Sequence, residues 1–398
     1  MPLPTLENMA NLNRTENSTT DLPYMPQLDG LRALAVTAVY VYHFGGNLPF
    51  GLWHLNWGLA GVRLFFVLSG FLITGILLRG RQRIESGQDS PWRVIRGFYI
   101  RRFLRIFPLY YFVIAVAAIV GVSHLAEAQQ WLLTYTTNIY IAIHGYWIKW
   151  FSHFWTLAIE EQFYLVWPWL VIFSPRRTTV PMLLGLIALG PIYRAAAMAA
   201  GLNHLAVRFL TIAWLDSLAM GALLAVLLSS VHQQRTERVL NRIALPTVAG
   251  ILALLMCLPD YPNFNSSIIW LDVLMALFFC WLICRASRGF AGIFGKFLSC
   301  KPMVYLGKIS YGLYVYQAFP RRLLPALFRW SGNAGMWHQV TLRPVVYLLT
   351  TFVLATLSWH LFEGPINRLK RYVNYRRSDG EAVPVVPVEE ILESTRCA

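Results

Sequence analysis

Long apolar stretches separated by short polar segments occupy most of this chain. A membrane-spanning helix needs about 20 mostly apolar residues. About ten stretches meet this length, and they are predicted as transmembrane helices at 31–47, 59–78, 105–122, 153–173, 180–199, 208–229, 243–260, 267–284, 303–320 and 341–362. A weaker, aromatic stretch at 131–147 is predicted to lie at the membrane surface, because aromatic side chains prefer the headgroup level. The pattern therefore predicts an all-α fold, a polytopic membrane helix bundle of about ten transmembrane helices.

Polar segments flank the apolar region at both ends. Residues 1–24 are rich in Asn and Thr and lack the apolar core of a signal peptide, so we expect a disordered cytoplasmic tail. Residues 371–398 are expected to form a polar cytoplasmic C-terminal tail. Between them, residues 25–370 are predicted to form one transmembrane domain without an appended soluble domain.

The composition supports the membrane assignment. Of the 398 residues, 57% are hydrophobic and 13% are charged, whereas soluble proteins carry about 25% charged residues. The formal net charge is +15, but the basic residues form short clusters between apolar stretches. A basic module interleaved with aromatic residues is not found. We therefore expect a lipid bilayer as the environment and no nucleic acid as a partner.

The distribution of Lys and Arg predicts the orientation of the bundle. Most of them lie in the loops after every second predicted helix and after the last one. Cytoplasmic loops of membrane proteins carry an excess of basic residues, so both termini are predicted to be cytoplasmic. We expect a multi-pass integral protein of the bacterial inner (cytoplasmic) membrane.

The cysteines do not indicate a metal site. There are five, and none form a Cys-x-x-Cys pair. Cys280 and Cys284 share a helix face, which is typical of small buried packing residues. Neither a zinc site nor a disulfide framework is predicted.

Ionisable side chains inside membrane helices are costly and are functional candidates by default. The first predicted helix carries Arg32 at its inner end and His43 toward its outer end. Their separation is roughly 16 Å along a helix and close to three turns, so both side chains can face one side. A lone histidine in such a helix is also often a hydrogen-bonded packing residue, and the sequence leaves that alternative open.

Two adjacent carboxylates, Glu160 and Glu161, lie in the outer part of the fourth predicted helix. At least one should point into the bundle, because both cannot face lipid. We expect Glu160 at about the depth of His43, where a carboxylate can fix the tautomer of the imidazole and raise its basicity. This predicts a catalytic pair of His43 and Glu160.

A tight arginine cluster lies at the predicted inner mouth of the bundle and consists of Arg101, Arg102 and Arg105. Guanidinium groups hold phosphates bidentately, which predicts a site for a phosphate-bearing cofactor, with Arg32 as a further ligand. A basic cluster at an inner membrane face is also the usual topology signal, and this alternative stays open.

The second predicted helix contributes two further candidates. Arg63, near its outer end, is expected to bind an anion or to neutralise Glu160. Ser69 is followed by Gly70, and such small residues let two helix backbones approach closely. Each feature alone has an ordinary structural explanation. Their joint occurrence between residues 29 and 164 favours a functional site.

Six short motifs occur in order along the chain. They are Leu28-Asp29-Gly30-Leu31-Arg32 with His43, Phe65-Phe66-Val67-Leu68-Ser69-Gly70-Phe71, Arg101-Arg102-Phe103-Leu104-Arg105-Ile106-Phe107-Pro108, Trp155-Thr156-Leu157-Ala158-Ile159-Glu160 with Phe163-Tyr164, Ile309-Ser310-Tyr311-Gly312-Leu313-Tyr314, and Phe362-Glu363-Gly364-Pro365. Together they make residues 25–370 resemble the acyltransferase 3 family of integral membrane acyltransferases, of the O-antigen and polysaccharide O-acetylase type. We expect substrate-binding or supporting roles for Asp29, Arg63, Ser69, Trp155, Glu161, Tyr164, Ser310 and Tyr311.

The resemblance implies an enzyme that transfers acyl groups other than aminoacyl groups, an O-acetyltransferase. Its donor would be cytoplasmic acyl-CoA, with acetyl-CoA favoured, and its acceptor a hydroxyl of a cell-surface or exported carbohydrate. No metal is implied. On this interpretation Arg32, Arg101, Arg102 and Arg105 bind the CoA phosphates. His43 either deprotonates the acceptor hydroxyl or carries the acyl group itself.

Two positions depart from the pattern of the family. Gln317 stands where many relatives carry a histidine, and an amide cannot act as a base. Thr156 replaces the usual serine and keeps the hydroxyl. Since the extracytoplasmic hydrolase-like domain of some relatives is not found here, we expect the membrane domain alone, an extracytoplasmic partner or a homo-oligomer to complete the transfer. The alternative function is a transporter or flippase of a glycan or acyl carrier, which would act without catalysis.

Overall fold

The computed structural model describes residues 24–44, 56–122, 125–257, 267–331 and 343–370. Secondary structure in these ranges is helical, and no strand occurs among the described residues. This confirms the all-α class that the apolar pattern predicted. The two predicted tails, 1–24 and 371–398, lie outside the described residues except for Tyr24.

The helices follow one another with mostly short connections. In chain order they are α1 (Pro26–Phe44), α2 (Trp57–Glu85), α3 (Pro91–Ile119), α4 (Leu125–Leu133), α5 (Thr137–His144), α6 (Trp155–Phe173), α7 (Arg176–Ala199), α8 (His204–Phe209), α9 (Leu215–Leu228), α10 (Gln233–Cys257), α11 (Ser267–Arg288), α12 (Gly292–Ser299), α13 (Lys301–Lys308), α14 (Ser310–Tyr316), α15 (Pro320–Trp330), α16 (Arg343–Ser358) and α17 (Gly364–Arg368). Shorter helical turns of other types occupy Ser152–Phe154, Thr211–Trp214 and Trp359–Glu363.

Local chemistry explains where the two longest helices begin. α2 starts after Asn56, whose side-chain oxygen accepts a hydrogen bond from the backbone N–H of Leu59. α3 starts after Ser90, whose hydroxyl accepts a hydrogen bond from the N–H of Arg93. Pro91 occupies the first turn of α3, where the N–H that proline lacks would have no helical partner.

Seven of the predicted membrane crossings are confirmed as helices of sufficient length and apolarity. They are Trp57–Glu85, Pro91–Ile119, Arg176–Ala199, Thr211–Leu228, Gln233–Met256, Ile268–Arg288 and Arg343–Arg368. The other three predicted crossings are helical but do not meet that criterion. Helices α1 and α6 have 19 residues each and carry ionisable side chains, and the stretch 303–320 is divided between α13 and α14. The aromatic stretch 131–147 forms parts of the short helices α4 and α5.

Helix α2 is central to the bundle, and two thirds of its apolar membrane-spanning segment is buried. Glycines allow α9 to cross it closely. A Cβ atom at Gly70 would lie 2.0 Å from the carbonyl oxygen of Leu218, and one at Gly221 would lie 2.0 Å from that of Val67. Larger residues do not fit at either position, so the predicted close approach of helix backbones at Ser69-Gly70 occurs between α2 and α9.

The antiparallel pair of α1 and α2 sets the depth of the residues on both helices. Gly58 at the start of α2 lies against Tyr42 near the end of α1, and Gly61 lies against Ala35. Continuing this pairing along the two helices places Ser69 level with the segment of α1 around residue 30. The middle of α2 therefore lies beside the predicted inner end of α1.

A second set of contacts places α14 relative to α1. The hydroxyl oxygens of Tyr40 and Thr351 are 3.5 Å apart, so α16 runs alongside α1. A Cβ atom at Gly312 would lie 3.4 Å from the Cβ of Ala355, so α14 packs on the same α16. The pairs Tyr40–Thr351 and Phe44–Tyr347 show that α16 runs antiparallel to α1. Gly307 at the end of α13 lies against the backbone of Asp29, whereas Gly312, through Ala355, is level with a later segment of α1. The chain through α13 and α14 therefore runs in the same direction as α1.

Candidate active site

A cavity of about 100 Å³ lies between α1, α2, α3, α6 and α14. Its lining residues are Arg32, Val62, Phe65, Phe66, Ser69, Arg102, Arg105, Ile106, Thr156, Leu157, Glu160, Tyr164, Ser310, Tyr311 and Tyr314. All of them except Val62 come from five of the six motifs, which the fold brings together from distant parts of the chain. The lining combines three guanidinium groups and a carboxylate with hydroxyl groups and aromatic rings.

The carboxylate of the cavity is held from two helices. The hydroxyl of Ser69 on α2 donates a hydrogen bond of 2.5 Å to Oε1 of Glu160 on α6. Tyr164, one turn further along α6, also hydrogen-bonds to Glu160. The charges of Arg102 and Arg32 act on the same carboxylate. Glu160 thus connects the motif that contains Ser69 with the motif that contains Arg102.

Three of the arginines predicted to bind phosphate enter the same cavity. Nη1 of Arg32 lies 3.1 Å from Oδ1 of Asp29, one turn earlier on α1, so Asp29 orients this guanidinium group. Arg102 lies over the ring of Tyr164, with its guanidinium carbon 5.4 Å from the ring centroid. Arg105 lines the cavity beside them. The three cations outnumber the two carboxylates of Asp29 and Glu160 by one, and this excess of positive charge suits an anionic ligand.

Arg101 does not line the cavity but belongs to a basic cluster just outside it. The charges of Arg105, Arg102 and Arg101 act on Lys370, which follows α17 and the last candidate membrane span. Burial, together with these three guanidinium groups, lowers the pKa of Lys370 from 10.5 to about 7. The predicted site did not include Lys370, because no spacing in the sequence relates it to the arginine motif.

His43 does not line the cavity. It lies one residue before the end of α1 and is exposed, and its ring meets that of Tyr42 edge-on with a centroid distance of 5.1 Å. Glu160, bound to Ser69, is level with the opposite end of α1. No hydrogen bond joins the side chains of His43 and Glu160, and two to three helical turns, on the order of 10–16 Å, separate their depths.

The expectation that Glu160 lies at the depth of His43 is therefore wrong. The reason is that α6 begins near the level of His43 and runs inward. The turn Ser152–Phe154 precedes α6, and His153 in this turn is close enough to His43 for their charges to interact. Glu160 comes seven residues after His153, about two helical turns deeper, where it meets α2 and not the end of α1.

Arg63 neither contacts Glu160 nor enters the cavity, so the expectation that it neutralises Glu160 is also wrong. It is fully buried, with Nη2 at 2.8 Å from Oδ1 of Asp272 and Nη1 at 3.5 Å from Oδ1 of Asp216. Arg194 pairs with Asp216 at 2.7 Å, and Arg208 pairs with Asp272 at 3.3 Å. This ionic network holds α2, α7, α8, α9 and α11 together, and its arginines outnumber its carboxylates by one.

The remaining predicted residues divide between the cavity wall and its support. Ser310 and Tyr311 line the cavity, and the hydroxyl of Tyr311 donates a 2.7 Å hydrogen bond to the carbonyl of Ile106 on α3. Trp155 supports the wall, because its ring packs at 5.4 Å from that of Trp214. Glu161 is not among the lining residues, and its Oε1 is buried without a hydrogen-bond partner among the described residues.

A hydrogen-bonded triad beside the cavity escaped prediction. The hydroxyl of Thr156 hydrogen-bonds to that of Tyr314 at 2.6 Å, and Tyr314 donates to the carbonyl of His153 at 2.6 Å. Nε2 of His153 lies 3.0 Å from the carbonyl oxygen of Val315. The triad joins α6 to α14. The signal for it in the sequence was the hydroxyl of Thr156, in the motif that begins at Trp155.

Metal chemistry has no candidate ligands in the described part of the chain. No group of three or more His, Cys, Asp or Glu side chains that could hold a metal ion occurs among those residues. The cavity therefore offers guanidinium, carboxylate and hydroxyl groups as its polar chemistry.

Comparison with known proteins identifies the family whose motifs these are. The profile of the family described as "Acyltransferase domain" matches residues 25–363. The chain is 29% identical to "Peptidoglycan O-acetyltransferase OatA" of Listeria monocytogenes over 380 residues, which are 88% of this chain and 57% of the relative. It is 29% identical over 372 residues to "Putative peptidoglycan O-acetyltransferase YrhL" of Bacillus subtilis, with 86% of this chain and 55% of the relative covered.

A third relative is "O-acetyltransferase OatA" of Staphylococcus aureus, 27% identical over 375 residues, with 87% of this chain and 57% of the relative covered. The chain thus spans little more than half the length of these curated relatives. No solved structure matches it significantly.

Proposed function

The chain belongs to the acyltransferase-domain family, and on that premise we propose that it is a membrane O-acetyltransferase that moves an acyl group from cytoplasmic acyl-CoA to a hydroxyl of a cell-surface carbohydrate. The relatives named as peptidoglycan O-acetyltransferases support this class of acceptor. The observation that carries the proposal is the single cavity in which Arg32, Arg102 and Arg105 meet Glu160 and Ser69.

The proposed arrangement in the membrane has about ten crossings with both termini in the cytoplasm of a bacterial cell. The seven candidate spans support it, as does the concentration of basic residues in alternate loops. Helices α1, α6 and the divided pair α13 and α14 would supply the other crossings. The ionisable side chains in the middle of this group, Arg32, Glu160 and Glu161, are half-buried against the other helices, which makes a lower apolarity tolerable. The arginine end of the cavity then opens toward the cytoplasm, where acyl-CoA is found.

The proposed donor site uses the basic residues at that end. Arg32, Arg102 and Arg105 would bind the phosphates of acyl-CoA, with Arg101 and Lys370 adding positive charge outside the cavity. Guanidinium groups match phosphate geometry bidentately. From there the arm of the donor must cover roughly 16 Å to reach the depth of His43.

The proposed chemistry passes the acyl group from sulfur to oxygen near His43. In the direct route the acceptor hydroxyl oxygen attacks the thioester carbonyl carbon and its proton passes to His43. The C–S bond breaks, and CoA leaves as a thiolate that takes up a proton. In the relay route His43 attacks first and holds the acyl group until the acceptor hydroxyl displaces it. We propose that Glu160, at the depth of Arg32, positions the donor arm and does not pair with His43.

The test uses the purified full chain in lipid nanodiscs with radiolabelled acetyl-CoA and muropeptides as acceptors. We expect wild-type transfer, and a loss of about 100-fold or more in turnover for His43→Ala. For Arg102→Gln we expect the KM for acetyl-CoA to rise about tenfold, because a charge-assisted contact is lost. The matched control is Arg93→Gln, which removes one positive charge from the same helix at a side chain that is 58% exposed and paired with Asp89.

Two results would overturn this proposal. One is a wild-type protein that transfers no label to muropeptides or to any glycan of its own cells, yet moves glycans in the absence of acetyl-CoA, as a transporter would. The other is a His43→Ala variant that keeps near-normal transfer. Unchanged acetyl-CoA affinity in Arg102→Gln would exclude the proposed donor site alone.

A further inference from the structure

A buried amide at the end of α14 has no partner for either of its polar atoms. Gln317 is 2% exposed, and neither its Nε2 nor its Oε1 has a hydrogen-bond partner among the described residues. Folded proteins pair nearly all buried polar side chains, because an unpaired group has lost its water without replacement. A side chain that leaves both atoms unpaired therefore has its hydrogen-bonding groups available to a ligand or a water molecule.

The position of Gln317 on its helix directs it toward the cavity. Its backbone has helical dihedral angles, with φ −53° and ψ −35°, so α14 continues through it in geometry. Ser310, Tyr314 and Gln317 have the spacing i, i+4 and i+7, which places them on one helix face. The first two line the cavity. Gly312 lies on the opposite face, against Ala355.

The depth of Gln317 is that of His43. The rings of Phe44 and Tyr347 are 5.5 Å apart, which extends the antiparallel pairing of α1 with α16 to the end of α1. Through Ala355, Gly312 is level with the segment of α1 around residue 36. Five residues further along the parallel α14, Gln317 is within about one helical turn of His43.

A third polar residue occupies the same layer. His153, bound through Nε2 to the carbonyl of Val315, is close enough to His43 for their charges to interact. Arg322 is near as well, since its charge also acts on His153. Polar groups from α1, α14 and the turn before α6 thus gather at the end of the bundle away from the arginine cluster.

We propose that Gln317 binds the acceptor carbohydrate and positions its hydroxyl beside His43. This inference rests on the proposed function. A carboxamide offers two donors and one acceptor, which can engage neighbouring sugar hydroxyls, each of which donates and accepts. The donor enters from the arginine end, so the polar layer at the other end is left for the acceptor. Gln317 is a positioning residue, since it takes no part in bond formation.

The experiment compares wild type with Gln317→Met, which keeps the length and volume of the side chain but removes its hydrogen bonds. With acetyl-CoA as donor and chitopentaose as acceptor, we expect kcat/KM for the acceptor to fall about tenfold or more. The KM for acetyl-CoA and its slow hydrolysis without acceptor should stay within about twofold, because the donor end is untouched. Calorimetric binding of chitopentaose to the protein loaded with CoA should weaken by a similar factor of about ten.

The thermal midpoint separates this role from a structural one. Removing an unpaired buried amide should leave the midpoint unchanged or raise it, so activity would fall while stability does not. The Gln317→Asn variant keeps an amide on a shorter side chain and should recover part of the acceptor affinity. It also tests the proposal if Gln317→Met does not fold. The matched control is Thr356→Val on α16. This substitution also removes a buried polar group without a partner, the Thr356 hydroxyl, but at a position that does not line the cavity. Its acceptor kinetics should not change.

Three other outcomes overturn the inference, and one overturns only the proposed function. Gln317→Met with normal acceptor kinetics shows that the amide has no ligand. Equal losses of hydrolysis and transfer show that it acts on the acyl group and not on the acceptor. If wild type turns over no acetyl-CoA but binds chitopentaose through Gln317, then the proposed function fails while the binding site stands. If it neither reacts nor binds, both fail.

Discussion

Lys370 is predicted to make the affinity for the proposed acyl-CoA donor dependent on pH, and one substitution can isolate its contribution. Its ammonium group lies among Arg101, Arg102 and Arg105, and its pKa falls to about 7. Without ligand, Lys370 therefore loses its proton as the pH rises through 7. A bound polyanion stabilises the protonated form and raises this pKa. Binding then takes up a proton, so affinity is highest below pH 7 and declines as the pH rises through 7.

The size of this effect follows from the position of the pKa. With a pKa of about 7, Lys370 is about 91% protonated at pH 6 and about 9% protonated at pH 8. If the bound form stays protonated throughout, affinity falls about tenfold between these values, or about 1.4 kcal/mol. Because Lys370 is only half-buried, solvent and salt screen part of the interaction. We expect a three- to fivefold loss at about 0.15 M ionic strength.

The assay is equilibrium binding of acetyl-CoA to the nanodisc-embedded protein at pH 6, 7 and 8 and constant ionic strength. Lys370→Arg is the control, because arginine stays charged over this range and should abolish the decline. The 3′-phosphate of CoA, which ionises near pH 6, contributes equally to both proteins and cancels in the ratio. Identical pH profiles for wild type and Lys370→Arg would refute the reasoning.

Three further predictions follow from contacts within the bundle. Gly221→Val should prevent folding, measured as loss of monodisperse protein in detergent, since even a Cβ there would lie 2.0 Å from a carbonyl oxygen of α2; a well-folded variant would contradict the packing. Asp272→Asn should destabilise the protein by about 3–5 kcal/mol, because three buried arginines are then left with the single carboxylate of Asp216, and an unchanged thermal midpoint would exclude this. Ser69→Ala should cost about 1–3 kcal/mol through the lost hydrogen bond to Glu160 and should raise the KM for acetyl-CoA; normal kinetics would show that Glu160 needs no such support.

The buried ionic network gives the bundle a rigid side. Arg63, Arg194 and Arg208 meet Asp216 and Asp272 where water is scarce, so removing one partner leaves a charge that cannot be solvated. The network joins α2 to four other helices. We infer that it keeps α2, which carries Ser69 into the cavity, in a fixed position.

The sequence by itself determined the helical class and most of the membrane helices. Exposing an apolar stretch of about 20 residues to water is so unfavourable that its length and apolarity predict a membrane environment. The motifs also predicted Arg32, Arg102, Arg105, Ser69 and Glu160 as members of a site, and one cavity contains them all. Their residue types carry that information, because charges within a membrane bundle are too costly to occur without partners.

Only the tertiary structure decided which of these residues meet. Helix periodicity predicts the face on which a side chain lies, but it does not predict how deep one helix begins relative to another. That depth depends on contacts such as those of Gly61 and Gly221, which connect distant parts of the chain. For this reason the pairing of Glu160 with His43 that we predicted from the sequence is wrong, and Glu160 accepts a hydrogen bond from Ser69. Packing alone likewise brings the unpaired amide of Gln317 to the depth of His43.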